Sequence, residues 1–274
     1  MKPKIVAFDL DDTVIGSDGQ ISPENFNAIK KLSQAGITPV VVTGRTYYEI
    51  PASLREFPWT GYIIYGDGAV AVDSDRHCVF SSHIPQKDTE EILSVLREYD
   101  TMPELFYDGK PYAEKDKLNS ENYSYYGIEE IYHPVMEETR VPAEDFDSVM
   151  SHGEKTEMFN VFFHSQEERD ICADRISDAF PEYTCTHSMQ NNLEVLQKGV
   201  NKGASLKRLA QTLSVDRADI IAVGDSPNDL SMIKYAGTGL AVANACDALK
   251  EVANAQACSN DGNVLEYIYE NYCC

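Results

Sequence analysis

The sequence predicts an α/β protein with a doubly wound parallel sheet, interrupted by an inserted α+β domain. Short apolar runs, rich in β-branched residues, alternate with amphipathic helical segments in both the first and last parts of the chain. This alternation is typical of buried parallel strands joined by helices. It stops near residue 82 and resumes after Gly199. We therefore expect a core domain of residues 1–82 and 190–274, and an inserted domain of residues 83–189.

The core domain is expected to contain strands at residues 4–8, 38–42, 61–65, 219–223 and 239–242. The first helix begins after Ser22, a capping hydroxyl followed by Pro23, and ends at Gly36. A helical segment follows Arg45 and is interrupted at Pro51. Further helices are expected at residues 202–213, 228–235 and 262–271.

The inserted domain has a mixed pattern. Helices are expected at residues 88–99 and 167–180, and strands at residues 104–107, 148–150, 158–163 and 183–186. A further short strand is expected at residues 193–196, just after the inserted domain. Residues 107–142 are polar and rich in tyrosine, and their pattern predicts neither helix nor strand. The tyrosines at positions 123, 125, 126 and 132 are interpreted either as the lining of a substrate cleft or as ordinary surface residues.

Composition narrows the class of protein. The 274 residues include 23 Lys and Arg against 45 Asp and Glu, which gives a formal net charge of −22. Sequence-independent binding to nucleic acid or anionic lipid needs clustered basic residues, so we expect neither kind of partner. The apolar runs are far shorter than the ~20 residues that cross a bilayer, and the first residues lack a signal-peptide pattern. We expect a soluble, cytoplasmic protein.

The cysteines and histidines indicate no zinc site. Seven cysteines are scattered along the chain without a C-x-x-C spacing, and the six histidines show no pairing at metal-ligand spacing. Scattered thiols in a chain of this length favour a reducing compartment over a disulfide framework.

Chemically distinctive side chains follow three of the predicted core strands, and a lysine opens the helix before the third. They are Asp9, Asp11, Thr43, Lys202, Asp225 and Asp229. Parallel strands end at one edge of a sheet, where ligands of such sheets bind, so we expect these groups to share a crevice. Crowded carboxylates repel each other unless a cation joins them, and an all-oxygen site suits Mg²⁺. A carboxylate that attacks phosphorus also needs cations to neutralise the phosphoryl oxygens.

Four motifs occur in order: D-x-D-x-T at residues 9–13, T-G-R at 43–45, the isolated Lys202, and G-D-x-x-N-D at 224–229. This set resembles the haloacid dehalogenase superfamily of aspartate-nucleophile phosphotransferases, and the resemblance covers the whole chain. The large insertion between the second and third motifs is similar to Cof-type sugar-phosphate phosphatases of subclass IIB. The resemblance implies a Rossmann-like core and an α+β cap at residues 83–189. It also implies Mg²⁺-dependent hydrolysis of a small phosphomonoester, such as a sugar phosphate.

The resemblance also implies roles for individual residues. Asp9 would be the nucleophile that forms an aspartyl-phosphate, and Asp11 would be the general acid and then the general base. Asp11 would bind the metal through its backbone carbonyl, and Asp229 would hold the metal's water shell or orient Lys202. The implied catalytic residues are Asp9, Asp11 and Lys202, the phosphate-binding residues are Thr43, Gly44 and Asn228, and the metal-binding residues are Asp9, Asp11, Asp225 and Asp229.

Two positions depart from the family pattern. Asp12 stands where many members have glycine, and Asp67 stands where the family often has asparagine. Because an acid that faces a phosphate is unfavourable, we expect Asp67 to face the cap or to use only its backbone. Arg45 is interpreted either as a partner in an ion pair between core and cap or as a substrate contact.

Two other functions remain open at this stage. Phosphomannomutases share this type of core and cap, so the chain could be a phosphomutase, which needs a bisphosphate activator and releases little free phosphate. A non-catalytic binder of phosphorylated ligands is the other alternative, and the complete set of Asp9, Asp11, Lys202 and Asp225 argues against it.

Overall fold

The structure is a computed structural model that describes residues 2–151 and 153–273. The strands, in chain order, are β1 (Ile5–Phe8), β2 (Thr38–Val42), β3 (Tyr62–Tyr65), β4 (Val70–Asp73), β5 (Cys78–Ser81), β6 (Thr101–Tyr107), β7 (Lys110–Glu114), β8 (Val141–Ala143), β9 (Thr156–Phe163), β10 (Tyr183–Thr186), β11 (Asn192–Gln197), β12 (Ile220–Gly224), β13 (Thr238–Ala241) and β14 (Ala255–Gln256). The helices are α1 (Pro23–Gln34), α2 (Ala52–Arg55), α3 (Gln86–Leu96), α4 (Ser120–Tyr125), α5 (His133–Thr139), α6 (Phe146–Met150), α7 (Gln166–Ala179), α8 (Lys202–Thr212), α9 (Leu230–Tyr235), α10 (Asp247–Val252) and α11 (Val264–Ile268).

The chain forms two compact units. The first unit consists of the chain up to Gly44, the segment Ser53–Phe80, and the chain from Val200 onwards. The second unit consists of Arg45–Ala52 and Ser81–Gly199. The short segment Arg45–Ala52 therefore packs with the second unit, although it lies between two segments of the first.

The first unit is built on a mostly parallel sheet with the order β14-β13-β12-β1-β2-β3-β4-β5. Strand β1 pairs in parallel with β12 and β2, while β4 runs antiparallel to β3. Phe8 lies opposite Val223 on β12 and Val41 on β2, so the carboxyl ends of these three strands are level. The predicted doubly wound α/β core is confirmed, and its register brings the segments that follow the three strands together.

The second unit has a sheet with the order β10-β11-β9-β6-β7-β8. Among the described strand pairs of this sheet, only β7 and the edge strand β8 are parallel. Side chains alternate between its two faces. Phe159, Val161 and Phe163 pack in one buried cluster with residues of α3 and α7. Phe162 belongs to a second cluster, which includes Tyr126 of the tyrosine-rich segment.

The expected strand at residues 148–150 is wrong, because this segment lies in helix α6. The Asp145 side chain accepts a hydrogen bond from Ser148 N at 2.7 Å and so caps the helix. Phe146 and Met150, one helical turn apart, are both buried. In a strand, residues 146 and 150 would also lie on one face. The spacing of these two apolar residues therefore could not distinguish a strand from a helix.

In the tyrosine-rich segment, the interpretation as surface residues is confirmed for Tyr125 and Tyr132 and is wrong for Tyr123 and Tyr126. This segment contains β7, α4, α5 and β8. Tyr123 and Tyr126 are 1% exposed and belong to the core, whereas Tyr125 and Tyr132 are exposed. The sequence also did not indicate β4, β5, α10 or β14. No helix within residues 2–151 and 153–273 combines the length and the apolar character needed to cross a membrane.

Candidate active site

A buried ion-pair cluster lies at the carboxyl edge of the first unit's sheet. We call Lys202, Asp9, Asp225 and Asp229 the Lys202 cluster. Asp9 directly follows β1, and its backbone N–H donates to Val223 O on β12 at 3.1 Å. Lys202 is the first residue of α8, and its side chain is 1% exposed. The ammonium group Nζ donates to Asp9 Oδ1 at 2.8 Å and to Asp229 Oδ1 at 2.7 Å.

Asp229 organises the loop that follows β12. Its Oδ2 accepts hydrogen bonds from the backbone N–H groups of Asp225 at 3.0 Å and Ser226 at 3.1 Å. A Cβ atom on Gly224 would lie 2.4 Å from Asp229 Oδ2, so this position needs glycine. Both oxygens of Asp229 are thus engaged by protein groups, an arrangement that suits orientation of Lys202 and of the loop.

Asp225 is connected to the first motif. Thr13 Oγ1 donates to Asp225 Oδ1 at 3.0 Å. Asp11 and Asp12, on the turn between Asp9 and Thr13, are exposed. Asp12 has a φ of 50°, a left-handed conformation that glycine adopts freely and aspartate tolerates better than most residues. The backbone therefore accounts for the glycine that the family pattern has at this position.

The charges of the Lys202 cluster are unbalanced. Carboxylate oxygens of Asp9, Asp225 and Asp229 all lie within 4.8 Å of one another. Burial raises the pKa of Asp9 well above its usual value, and Asp229, Asp11 and Asp225 raise it further against the opposing effect of Lys202. Burial and Asp229 raise the pKa of Asp225 to about 7. Burial lowers the pKa of Lys202, but the attraction of Asp229, Asp9 and Asp67 outweighs it, so the pKa is raised and the ammonium remains charged. The carboxylates outnumber the ammonium, and their oxygens fit a hard divalent cation.

The predicted phosphate-binding residues lie in the same unit. Thr43 follows β2, is 1% exposed, and donates from its backbone N–H to Ile64 O at 2.9 Å. Asn228 Nδ2 donates to Asp67 Oδ1 at 3.2 Å. A Cβ atom on Gly44 would lie 3.8 Å from Asn228 Nδ2, which places the segments after β2 and β12 side by side.

Of the two expectations for Asp67, the one that it uses only its backbone is wrong. Its side chain is 6% exposed and bonded to Asn228, so it does not act through its backbone alone. Arg45 belongs to the second unit, where its Nη1 donates to Glu49 O at 2.6 Å. Sequence reasoning also assigned no role to Thr13 or Ser226. The sequence could have indicated Thr13, because it is the last residue of the D-x-D-x-T motif.

Comparison with known proteins identifies the family. The family model described as haloacid dehalogenase-like hydrolase matches residues 6–268. The chain belongs to this family. Phosphatase YwpJ of Bacillus subtilis is 28% identical to this haloacid dehalogenase-like protein over 295 residues, which cover 98% of this chain and 99% of YwpJ. The 5-amino-6-(5-phospho-D-ribitylamino)uracil phosphatase YwtE of the same organism is 28% identical, with 97% of each chain covered.

A solved structure of a haloacid dehalogenase subclass IIB sugar phosphatase matches with a TM-score of 0.78 over 98% of each chain, at 17% identity. At this identity the match shows the shared fold. The family match and the named relatives make the protein a phosphatase of the haloacid dehalogenase family, as the four motifs predicted.

Proposed function

We propose that the protein hydrolyses small phosphomonoesters in a Mg²⁺-dependent reaction, through an aspartyl-phosphate on Asp9. The Lys202 cluster is the observation that carries this proposal. A buried carboxylate, held by an ammonium at the end of a parallel strand and surrounded by further carboxylates, is suited to attack phosphorus once cations reduce the repulsion. Family membership supports the same chemistry.

Lys202 engages Oδ1 of Asp9, so we assign Oδ2 as the nucleophile. In the first step Oδ2 forms a bond to phosphorus, the bond from phosphorus to the substrate oxygen breaks, and Asp11 protonates that oxygen. In the second step Asp11 removes a proton from water, which attacks the phosphorus and releases Asp9 and phosphate. The exposed position of Asp11 allows it to reach both oxygens in turn.

The remaining residues of the proposed site would bind the phosphoryl group and the metal ion. Thr43, Gly44 and Asn228 would bind the phosphoryl oxygens, through a hydroxyl, a backbone N–H and an amide. Side chains of Asp9 and Asp225 and the backbone carbonyl of Asp11 would hold Mg²⁺, while Asp229 would act on the metal's water shell or through Lys202. The metal would supply neutralisation of the phosphoryl oxygens.

We further propose that the core domain predicted at residues 1–82 and 190–274 is catalytic, and that residues 83–189 act as a cap that selects the substrate. Residues 45–52 and 190–199 of the predicted core pack with the second unit, so we assign them to the cap. A sugar phosphate or a similar cytoplasmic metabolite is the proposed substrate class. The family fold supports this class, as does the relative YwtE, whose name describes a phosphorylated ribityl compound. The acidic composition and the scattered thiols support a cytoplasmic location without a nucleic-acid or membrane partner.

The double role of Asp11 gives the decisive test. With p-nitrophenyl phosphate, whose leaving group needs little protonation, Asp11→Asn should give a burst of about one nitrophenol per enzyme and then a slow steady state. With a sugar phosphate the same variant should lose the first step, because acid catalysis is typically worth ~10²–10⁴-fold. Rapid-mixing absorbance measures the burst, and mass spectrometry measures phosphate trapped on Asp9.

Two controls accompany this experiment. Asp12→Asn, which removes the neighbouring exposed carboxylate and keeps a residue that tolerates positive φ, should keep a normal steady state. Asp9→Asn should show no burst with either substrate. A normal steady state for Asp11→Asn would contradict the assignment. Little phosphate release by the wild type, together with isomerisation of the substrate that requires a bisphosphate activator, would favour a phosphomutase.

A further inference from the structure

Asp67 lies where three parts of the proposed site meet. It belongs to the turn Gly66–Gly68 that follows β3, and its backbone N–H donates to Thr43 O at 3.1 Å. Its Oδ1 accepts a hydrogen bond from Asn228 Nδ2 at 3.2 Å. The carbonyl of the next residue, Gly68, accepts a hydrogen bond from Ser205 Oγ on α8 at 2.6 Å. Helix α8 begins with Lys202, so this turn contacts the elements that carry Thr43, Asn228 and Lys202.

The turn that carries Asp67 has a left-handed backbone and packs closely against its neighbours. Asp67 has a φ of 53°, in the left-handed region. Gly68 has a φ of 107°, and a Cβ atom there would lie 2.7 Å from Asn201 O, so the turn packs directly against the start of α8. Asp67 therefore donates to Thr43 and accepts from Asn228 within a turn that packs directly against the start of α8.

The Asn228 amide is held at both ends. Its Oδ1 accepts a hydrogen bond from Ser226 Oγ at 2.7 Å, while its Nδ2 donates to Asp67. A carboxylate only accepts hydrogen bonds, so Asp67 requires the NH₂ end of Asn228 to face it. An NH₂ group carries two N–H bonds, so the second N–H of Asn228 can donate to another acceptor. An asparagine at position 67 could accept or donate, and would therefore allow the Asn228 amide to turn over.

We propose that Asp67 is a positioning residue that sets the orientation of the Asn228 amide, so that the second N–H donates to a phosphoryl oxygen bound beside Gly44. This inference rests on the proposed function, because it assumes that Asn228 binds phosphate. A carboxylate this close to a phosphate opposes phosphate binding by charge alone. The benefit of Asp67 is therefore the orientation of the amide, and Lys202 offsets part of the charge.

A double-mutant cycle tests this proposal. Asp67→Gly removes the carboxylate but keeps a residue that adopts the left-handed backbone without strain. Asp67→Gly and Asn228→Ala should each raise KM for p-nitrophenyl phosphate and the inhibition constant of inorganic phosphate by about tenfold, with a much smaller change in kcat. The double variant should be no worse than Asn228→Ala alone, because Asp67 acts through that amide. Asp67→Asn should recover part of the loss, since an asparagine can accept the same hydrogen bond.

Asp108→Gly is the matched control, because Asp108 also precedes a glycine and has a φ of 51°. It lies in the second unit, and its substitution should leave KM unchanged. Multiplied effects in the double variant would overturn the proposal. So would a parallel loss of kcat and unfolding temperature in Asp67→Gly, or a KM for Asp67→Asn below that of the wild type. Calorimetry with inorganic phosphate tests the positioning role without turnover, so a wild type that hydrolyses no phosphomonoester would refute the proposed function alone.

Discussion

Each unit of this protein buries a cation among carboxylates, and the two clusters differ in the geometry of the ion pairs and in the number of carboxylates around the cation. In the second unit, Arg140 donates from Nε and Nη2 to the two oxygens of Glu104, at 2.7 and 3.0 Å. Its Nη1 donates to Glu49 Oε1 at 2.5 Å, and Asn160 Nδ2 donates to Glu104 Oε2 at 2.9 Å. We call these four residues the Arg140 cluster. Its planar, bidentate geometry is the strong arrangement for a buried ion pair.

The Lys202 cluster lacks this bidentate geometry. One ammonium contacts two carboxylates, and a third carboxylate lies beside them. In both clusters the carboxylates raise the pKa of their cation against the effect of burial. In the Lys202 cluster, burial and neighbouring carboxylates also raise the pKa of Asp9 and that of Asp225. A buried cluster of one cation and two carboxylates, one of them bound bidentately, is suited to hold the fold, while one with a third carboxylate is suited to bind a further cation and react.

The largest expected effect is on catalysis. Lys202→Met should lower kcat/KM for p-nitrophenyl phosphate by about 10³-fold, since it removes a charge that orients Asp9 and offsets the phosphoryl charge. Lys207→Met, which removes an exposed ammonium from the same helix, should leave kcat/KM unchanged. Steady-state phosphate release measures both. If Lys202→Met kept full activity, the Lys202 cluster would be structural like its counterpart.

The Arg140 cluster should respond through stability. Arg140→Met leaves Glu104 and Glu49 buried without their cation, and we expect the free energy of unfolding to fall by about 3–5 kcal/mol. Arg175→Met breaks the exposed bidentate pair with Glu98 in the same unit and should cost about 0–1 kcal/mol. Urea titration measures the free energy of unfolding of each variant against that of the wild type. Equal costs for the two variants would show that burial does not distinguish these pairs.

The smallest expected effect concerns the divalent cation that we propose binds to the carboxylates of the Lys202 cluster. Mg²⁺ at a hundredfold excess over its dissociation constant should stabilise the wild type by about 2.7 kcal/mol, because it binds only the folded chain. Asp225→Asn should lose most of this gain, and Arg140→Met should keep it. Thermal unfolding with Mg²⁺ or with a chelator checks this without turnover. A gain of the same size in all three proteins would place the metal elsewhere.

The same contrast explains what the sequence could predict. Asp9, Thr43 and Asp225 follow short, β-branched apolar runs that are typical of buried parallel strands, and the structure confirms these strands. The convergence of the three residues follows from the rule that such strands end at one edge. Asp67 also follows a core strand, but its role depends on a left-handed turn packed against α8, and a single sequence shows neither. Arg140, Glu49 and Glu104 lie far apart in the chain, outside any motif. Only the folded second unit brings them together, so periodicity could not indicate this cluster.

Local ambiguity accounts for the errors in the fold. Phe146 and Met150 are compatible with a short strand or with one helical turn, and the capping role of Asp145 decides between them. The tyrosine-rich segment has too few apolar positions to show a period, and its core residues Tyr123 and Tyr126 are polar at one end. Tyr126 OH donates to Asp100 Oδ1 at 2.8 Å, which satisfies the hydroxyl in the folded chain.

The position of Arg45–Ala52 has a consequence for any attempt to dissect the protein. The chain passes between the units after Gly44, Ala52, Phe80 and Gly199, so two cuts cannot excise the second unit intact. A fragment of residues 81–199 would lack Glu49 and leave Arg140 with one of its two buried carboxylates. It would also lack Tyr48, whose backbone N–H donates to Gly109 O at 3.0 Å. A fragment meant to contain the whole second unit therefore has to include residues 45–52, joined to residues 81–199 by a linker. Any transfer of this unit to another protein has to move both segments together.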